Sequence, residues 1–272
     1  MPIRTHIGNP VIPDFDTLST KEYYDMKKFA FLLGNTDGLS GVKKDLNRFK
    51  SFLESDIGGA WDEEEIFCRC DLNYDEVMSN IENIRNSCYD YVVFYFSGHG
   101  GMKRSTELCL NAKGDILSED EVSGLSNKQL SIYDCCRVFP KMVKTATNFA
   151  LDESVESYLS RRRLYRKRFD ALIADASEQD VRLYACHPDR SANDTRDGGV
   201  YTKHLLDVAE TQSLTGDVFV KKAHTLATNA VMIDPDAFSN GVIQYPDIMI
   251  NTKDSPTKDL VLALDRSAYT YI

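Results

Sequence analysis

YVVFYFSGHGG, residues 91–101, runs through six apolar residues and stops at a serine, a glycine and a histidine. A stretch with no polar alternation has no face to offer water, so 91–96 predicts a strand covered on both sides, as in a parallel sheet. The same pattern recurs on either side of it. Residues 29–34 (FAFLLG) form a short apolar run that ends in glycine, followed by a helical stripe of Val42, Leu46, Phe49 and Leu53 over 41–55. Residues 65–70 (EIFCRC) alternate like a strand. Asn73 with Glu76 three residues on is a capping box for a helix that buries Val77, Ile81 and Ile84. Residues 108–117 read as a small hairpin turning at Lys113-Gly114. Residues 129–134 (QLSIYD) and 181–186 (VRLYAC) are two further strands, helices follow over 199–210 and 217–230, and 260–264 reads as a last strand. Strands alternating with helices predict an α/β fold: a mostly parallel six-stranded sheet with helices on both faces, in three αβα layers.

Composition sets the bounds. The chain has 272 residues, 42% hydrophobic and 27% charged, enough for one large domain with a sizeable core. Nothing approaches the ~20 apolar residues of a membrane helix, and MPIRTHIGNPVIPDFD lacks the apolar stretch of a secretory signal. A soluble, cytoplasmic protein with no membrane partner is expected. Seven cysteines, with no CxxC pair, fit reduced thiols better than a disulfide framework or a structural zinc site. The formal net charge of −10 argues against a nucleic-acid partner and suits one carrying Lys and Arg, though such a charge also serves solubility. Residues 1–27, with three prolines and little periodicity, read as an N-terminal extension to a domain over 28–272.

In an open parallel sheet, ligands bind beyond the carboxyl ends of the strands. Those ends read Ser97-Gly98-His99-Gly100, Asp134-Cys135-Cys136 and His187-Pro188-Asp189. A histidine in a glycine turn and a cysteine at a strand end are each ordinary structural features. Together, at neighbouring strand ends, they can supply a thiol and its base. The backbone amides of Gly100 and Cys136 could bind the oxyanion.

The same segments resemble the caspase-like peptidases, the caspase and metacaspase superfamily. YVVFYFSGHGG is similar to their Tyr-x-Ser-Gly-His-Gly motif. SIYDCCRVF is similar to the second motif, which reads Asp-(Ser/Cys)-Cys-His-Ser-Gly in metacaspases and Gln-Ala-Cys-Arg-Gly in caspases. FAFLLGNTDGLSGVKKDLNRFKSFL resembles the metacaspase first strand and helix, and YACHPDRSAND with GGVYTKHLL the fifth strand and following helix. The likeness spans residues ~28–265, with its motifs in family order. It implies a caspase-like fold and a cysteine endopeptidase, with His99 as base and acid, Cys136 rather than Cys135 as nucleophile, and an oxyanion hole from Gly100 and Cys136. It also implies that Asp45, Asp134 and Ser97 line the S1 pocket, so that the protein substrate carries Arg or Lys at P1. Such enzymes act by limited processing in signalling, cell-death or defence pathways, antiviral defence among them.

Three features depart from the pattern or extend it. Arg137-Val138-Phe139 replaces His-Ser-Gly, and Val42 replaces a motif cysteine. These changes leave room for an alternative, a catalytically inactive caspase-like binding module. Thiol–imidazole chemistry requires no cofactor, but the family often binds calcium after the hairpin, where Glu119 and Asp120 stand. Ser118-Glu119-Asp120-Glu121 reads equally as an N-capped first helical turn. Finally, residues 138–168 break the strand–helix rhythm as a basic insertion, an exposed linker or helical excursion. Six of the eight residues from 161 to 168 are cationic: Arg161, Arg162, Arg163, Arg166, Lys167 and Arg168. They are expected to be zymogen processing sites, cut by the enzyme itself or by an upstream activating protease. A solvated basic helix, or one that clamps an acidic surface, is the other reading of that stretch.

Overall fold

The structure, a computed structural model, describes residues 26–137, 156–239 and 241–269. Most of the expected N-terminal extension lies outside this range. The first half runs β1 (Lys28–Gly34), α1 (Val42–Glu54), β2 (Ile66–Cys70), α2 (Tyr74–Ser87) and β3 (Tyr91–Gly98). A small antiparallel sheet follows, of β4 (Gly100–Met102), β5 (Thr106–Cys109) and β6 (Ile116–Ser118). Then come β7 (Lys128–Cys135), α3 (Glu156–Asp175) and β8 (Gln179–Tyr184). The hairpin of β9 (Asp194–Thr195) and β10 (Gly198–Gly199) opens α4 (Val200–Gln212), and β11 (Val218–Phe219) opens α5 (Val220–Val231). A second hairpin, β12 (Phe238–Ser239) and β13 (Val242–Ile243), precedes β14 (Asp247–Thr252) and β15 (Val261–Ala263).

The central sheet has six strands in the order β14-β8-β7-β3-β1-β2. All neighbours are parallel except β14, which lies antiparallel on β8. Side chains alternate across it as strand geometry requires. On β3, Tyr91, Val93 and Tyr95 join the core under α1, α3, α4 and α5, while Val92, Phe94 and Phe96 join the core under α2 and the small sheet. All eight β3 residues are buried, which is why the strand reads as an uninterrupted apolar run. Asn73 caps α2 through the Glu76 amide, and Glu76 returns the bond.

Two expectations are corrected. Residues 260–264 do contain a strand, β15, but it pairs with β11 outside the central sheet. The sixth central strand is β14, DIMINT, which was not recognised in the sequence. It is a half-exposed edge, and its polar Asp, Asn and Thr residues dilute any strand pattern. The basic stretch is helical, and its Arg161, Arg163 and Lys167 are exposed, but it is not a free excursion. It lies in α3, which connects β7 to β8 as a layer of the fold. Tyr165, Phe169 and Ile173 face the core, and four of the cations grip acids and carbonyls around them. Arg166 Nη2 meets Glu65 at 2.5 Å, Arg168 meets Asp217 at 2.6 Å, Arg161 meets Asp56 at 2.6 Å, and Arg162 bonds the Glu54 carbonyl at 2.5 Å. The clamping reading describes this helix. Residues 138–155 lie outside the described residues.

Beneath α3, Lys28 of β1 is 1% exposed and pairs with Asp170 at 2.6 Å, its ammonium 5.1 Å from the Trp61 ring and 5.3 Å from that of Phe169. Burial lowers the Lys28 pKa, and the Asp170 charge opposes that shift. Truncating one partner of such a pair leaves the other charged and buried, at a cost of about 3–5 kcal/mol. Lys28→Ala should lose that much in urea denaturation. A loss below about 1 kcal/mol would show that the pair does not tie α3 to the sheet.

Candidate active site

The site begins with a register. β3 and β7 run side by side with Ser97 opposite Asp134 and Gly98 opposite Cys135. The next residue on each chain is His99 and Cys136. A backbone step of one therefore sets the imidazole and the thiol at adjacent strand ends. Alternation then separates the two thiols. Leu130 and Ile132 point to the α1 side, and Asp134 and Cys136 continue that series, whereas Tyr133 and Cys135 belong to the opposite core. Cys135 is 2% exposed, and burial raises its pKa well above the ordinary thiol value. Gly100 completes the contact: a Cβ there would lie 2.7 Å from Cys135 Sγ and 2.9 Å from the Cys136 carbonyl oxygen. Only a glycine lets the chain after His99 come so close to the thiol-bearing turn.

The His99 ring is oriented by the backbone. Its Nε2 lies 2.7 Å from the Asp37 carbonyl oxygen. A carbonyl can only accept, so Nε2 carries the hydrogen and Nδ1 is the basic nitrogen. The Cys136 thiol donates to the Ala192 carbonyl at 3.4 Å, and burial raises its pKa. The thiol is therefore protonated in this arrangement and needs a base to become a nucleophile.

Beside the pair lies a cluster of buried acids. Asp45, in the first turn of α1, is fully buried; Ser97 Oγ donates to it at 2.9 Å, and the Gly199 amide donates to both of its oxygens at 3.0 and 2.9 Å. Asp134 is 5% exposed and accepts from the Thr202 amide at 3.0 Å and the Thr202 hydroxyl at 2.6 Å. Tyr95 is hydrogen-bonded to that hydroxyl at 2.9 Å. Burial holds the Asp45 carboxyl well above the carboxylate range, with the Asp134 charge adding to the effect, and pushes the Asp134 carboxyl up to about 6. A third acid, Asp194 of β9, accepts from the Gly41 amide at 3.2 Å and is also raised by burial.

The structure thus brings together His99, Gly100, Cys136, Ser97, Asp45 and Asp134, but not in equal roles. The Asp45 oxygens are occupied by the β9–β10 hairpin. That hairpin is held on α1 by Asp45, by the Lys44–Asp197 ion pair at 2.8 Å, and by Arg48 Nη1 on the Asp197 carbonyl at 2.5 Å. A Cβ at Gly199 would sit 2.3 Å from Asp134 Oδ2, so the hairpin closes directly over the second acid. The basic cluster from Arg161 to Arg168 is not part of the site. Four of its cations, Arg161, Arg162, Arg166 and Arg168, are engaged with Asp56, Glu54, Glu65 and Asp217 on and around α3. Asp37, Ala192, Asp194 and Thr202 were missed in the sequence. Two of them act through backbone carbonyls, which carry no residue signature.

The calcium expectation does not fit. Glu119 spends one oxygen on the Thr106 amide at 2.8 Å and the other on the Tyr184 hydroxyl at 2.7 Å. Asp120 is exposed, and among the described residues no group of three His, Cys, Asp or Glu side chains is arranged to hold a metal ion. Ser118 and Glu121 make the capping contacts instead, Ser118 Oγ accepting from the Asp120 amide and Glu121 accepting from the Ser118 amide, although the segment forms turns and not a helix. Arg137, in place of the motif histidine, is 4% exposed, stacks 4.0 Å over the Tyr184 ring and reaches Asp247 of β14 at 3.3 Å. Val138 and Phe139 lie outside the described residues.

A sheet with a cysteine and a histidine at neighbouring carboxyl ends, backed by buried acids, is the architecture of a caspase-like peptidase. The caspase domain family model matches residues 27–255, and the chain belongs to that family. No curated protein matches the chain in sequence. Among solved structures, protein GSU0716 from Geobacter sulfurreducens is similar in fold, with a TM-score of 0.54 and 17% identity over 86% of this chain and 97% of that one. Among the described residues no helix is long and apolar enough to cross a membrane.

The acids make stability depend on pH. Folded, Asp134 keeps its proton up to about pH 6; unfolded, it releases it near 3.8. The folded chain binds the extra proton, so this group's contribution is present below about pH 4 and is lost as pH rises through about 6. Asp134→Asn should therefore gain about 2–3 kcal/mol relative to the wild type between pH 4 and pH 7.5, read by urea denaturation at each pH. A difference that stays constant across that range would show that Asp134 ionises normally.

Proposed function

We propose that this family member is a cysteine endopeptidase that cleaves protein substrates after Arg or Lys with a His99–Cys136 dyad. The observation that carries the reading is the pair of buried carboxylic acids, Asp45 and Asp134, set beside Cys136 with no Lys or Arg among their hydrogen-bond partners in the described residues. Buried carboxylates without a cation are costly, and an extended basic side chain is the ligand that relieves that cost through charge-assisted hydrogen bonds. Asp134 is the better placed of the two. Thr202 bonds only its Oδ2, while both Asp45 oxygens hold the hairpin. In this reading Asp134 meets the P1 cation, and Asp45 with Ser97 forms the wall behind it.

Chemistry follows from the ring orientation. Rotation of the Cys136 side chain away from the Ala192 carbonyl brings Sγ toward Nδ1 of His99, which takes the thiol proton. The thiolate attacks the carbonyl carbon of the scissile bond, and the amides of Gly100 and Cys136 receive the oxyanion. The imidazolium, its Nε2–H still held by the Asp37 carbonyl, returns the proton to the leaving amine. Water then attacks the thioester with Nδ1 as base, releasing the acid and restoring the thiol.

The closed hairpin and the thiol's bond to Ala192 support the reading of a resting form, synthesised as a zymogen. The P1 side chain reaches Asp134 once the β9–β10 hairpin lifts. Activation by cleavage between β7 and β8 remains part of the proposal, with the Arg161–Arg168 sites accessible after local unfolding of α3. The residue after Cys136 favours the rival reading, a binding module that uses the fold without turnover: Arg137, in place of the motif histidine, is committed to Tyr184 and Asp247.

A fluorogenic peptide with Arg at P1 decides between them. Turnover should be abolished by Cys136→Ala and reduced about 10- to 100-fold in kcat/KM by Asp134→Asn, the worth of one charge-assisted bond. In the wild type kcat/KM for the basic peptide should rise with pH through about 6 as Asp134 ionises, and that inflection should disappear in Asp134→Asn. Equal turnover of Arg and Asp peptides would refute the acidic pocket, and no turnover before and after cleavage between β7 and β8 would favour the binding module.

A further inference from the structure

The loop after β1 holds the acceptor for His99, and one side chain ties that loop to the histidine's own backbone. Asn35 is 1% exposed. Its carboxamide oxygen accepts from the Asp37 amide at 2.9 Å, fixing the residue whose carbonyl takes the His99 Nε2–H. Its amide nitrogen donates to the Cys109 carbonyl at 2.8 Å, and the Cys109 amide donates to the His99 carbonyl at 2.9 Å. The Asn35 backbone amide bonds the Ser97 carbonyl at 3.0 Å. A Cβ at Gly98, the residue before His99, would lie 2.9 Å from Asn35 Cβ. Asn35 thus touches the residue whose carbonyl accepts from the ring, the chain before His99 and, through Cys109, the strand bonded to the His99 carbonyl.

A second tie closes the loop from the other side. Asp71 follows β2 in the left-handed region, φ 59°, where Asn and Asp are the tolerated side chains. Its amide bonds the Gly34 carbonyl at 2.8 Å, and its carboxylate accepts from the Thr36 amide at 2.8 Å and the Thr36 hydroxyl at 2.6 Å. Residues 34–37 are therefore held by β2, β3 and β5 at once. An Asx bond within a loop would be unremarkable by itself. Here it fixes the single carbonyl that selects the tautomer of the base.

We infer that Asn35 is a positioning residue for His99, its buried carboxamide locking the Asp37 carbonyl in register with the histidine, with Asp71 as the brace behind it. The inference rests on the peptidase reading for its catalytic meaning. The role is orientation: a ring that loses its Nε2 acceptor samples the other tautomer and presents N–H where the thiol needs a base. Misplacement on that scale costs about 10- to 100-fold in rate.

The test uses the full chain. Ring nitrogens of 15N-histidine-labelled wild type, assigned to His99 by comparison with His99→Gln, should report the Nε2–H tautomer at pH 8. In Asn35→Ala the signal should move to a tautomer mixture, and kcat for the Arg peptide should fall about 10- to 100-fold with KM within twofold. Asp71→Asn keeps the left-handed conformation and an acceptor for Thr36, so it should stay within threefold of the wild type. If Asn35→Ala does not accumulate folded, Asn35→Leu, which keeps the side-chain volume but loses the bonds to the Asp37 amide and the Cys109 carbonyl, carries the same two readouts. A merely structural Asn35 would lower thermal stability while leaving the ring signal and kcat of the folded fraction unchanged, and that result overturns the inference. A wild type inactive both before and after cleavage between β7 and β8 overturns the peptidase reading; an active wild type with an insensitive Asn35 variant overturns only this one.

Discussion

The parallel register between β3 and β7 is the constraint on which the rest depends. With Ser97 opposite Asp134 and Gly98 opposite Cys135, the strands end together and deliver His99 and Cys136 to the same edge. A slip of one residue would turn Cys135 toward α1 and bury Cys136 in the opposite core, because strand side chains alternate with period two. The register is protected by burial of both strands on both faces and by the buried Gln129 of β7, whose bonds to the Leu125 amide and the Val122 carbonyl a slip would break. The core thus selects which of two adjacent thiols reaches the site.

Charge is distributed around that frame in two different ways. On α3 the cations meet acids on neighbouring elements, and the exchange fixes a helix against the sheet. At the strand ends the acids are buried beside one another, with backbone amides, hydroxyls and the β9–β10 hairpin as their only described hydrogen-bond partners. The first arrangement is satisfied within the chain. The second is not, which is why burial shifts the Asp45 and Asp134 carboxyls upward. The hairpin that covers them contributes main-chain dipoles in place of a positive charge, a partial compensation that a basic ligand would exceed.

The backbone performs as much of the site's work as the side chains. The His99 ring is oriented by a carbonyl, the thiol rests on another, and the acids are held by amides of Gly199 and Thr202. Each depends on a loop whose geometry is set by neighbours remote in sequence: Asn35 by Cys109, Thr36 by Asp71, Asp45 by Gly199.

Much of this was legible in the linear chain. Buried strands announce themselves as apolar runs, and β1 and β3 are readable from that alone; the capping box at Asn73 and Glu76 is local chemistry and is readable without tertiary structure. Strand-end placement and motif order singled out His99 and Cys136 together, since residue type and spacing are properties of sequence. The edge strand β14 escaped because half of its residues face solvent. The packing of α3 escaped because a basic run looks the same whether water or distant acids surround it. The Asp37 carbonyl, the occupied oxygens of Asp45 and the hub at Asn35 could not be read at all, because backbone groups are identical at every position and only tertiary approach decides which of them meet. The sequence by itself determined five of the six sheet strands, their carboxyl ends and the histidine and cysteine that stand there; the tertiary structure decided which thiol faces the α1 side, which acid oxygens are occupied and what the His99 ring bonds, because those are matters of distance between segments that the chain order leaves far apart.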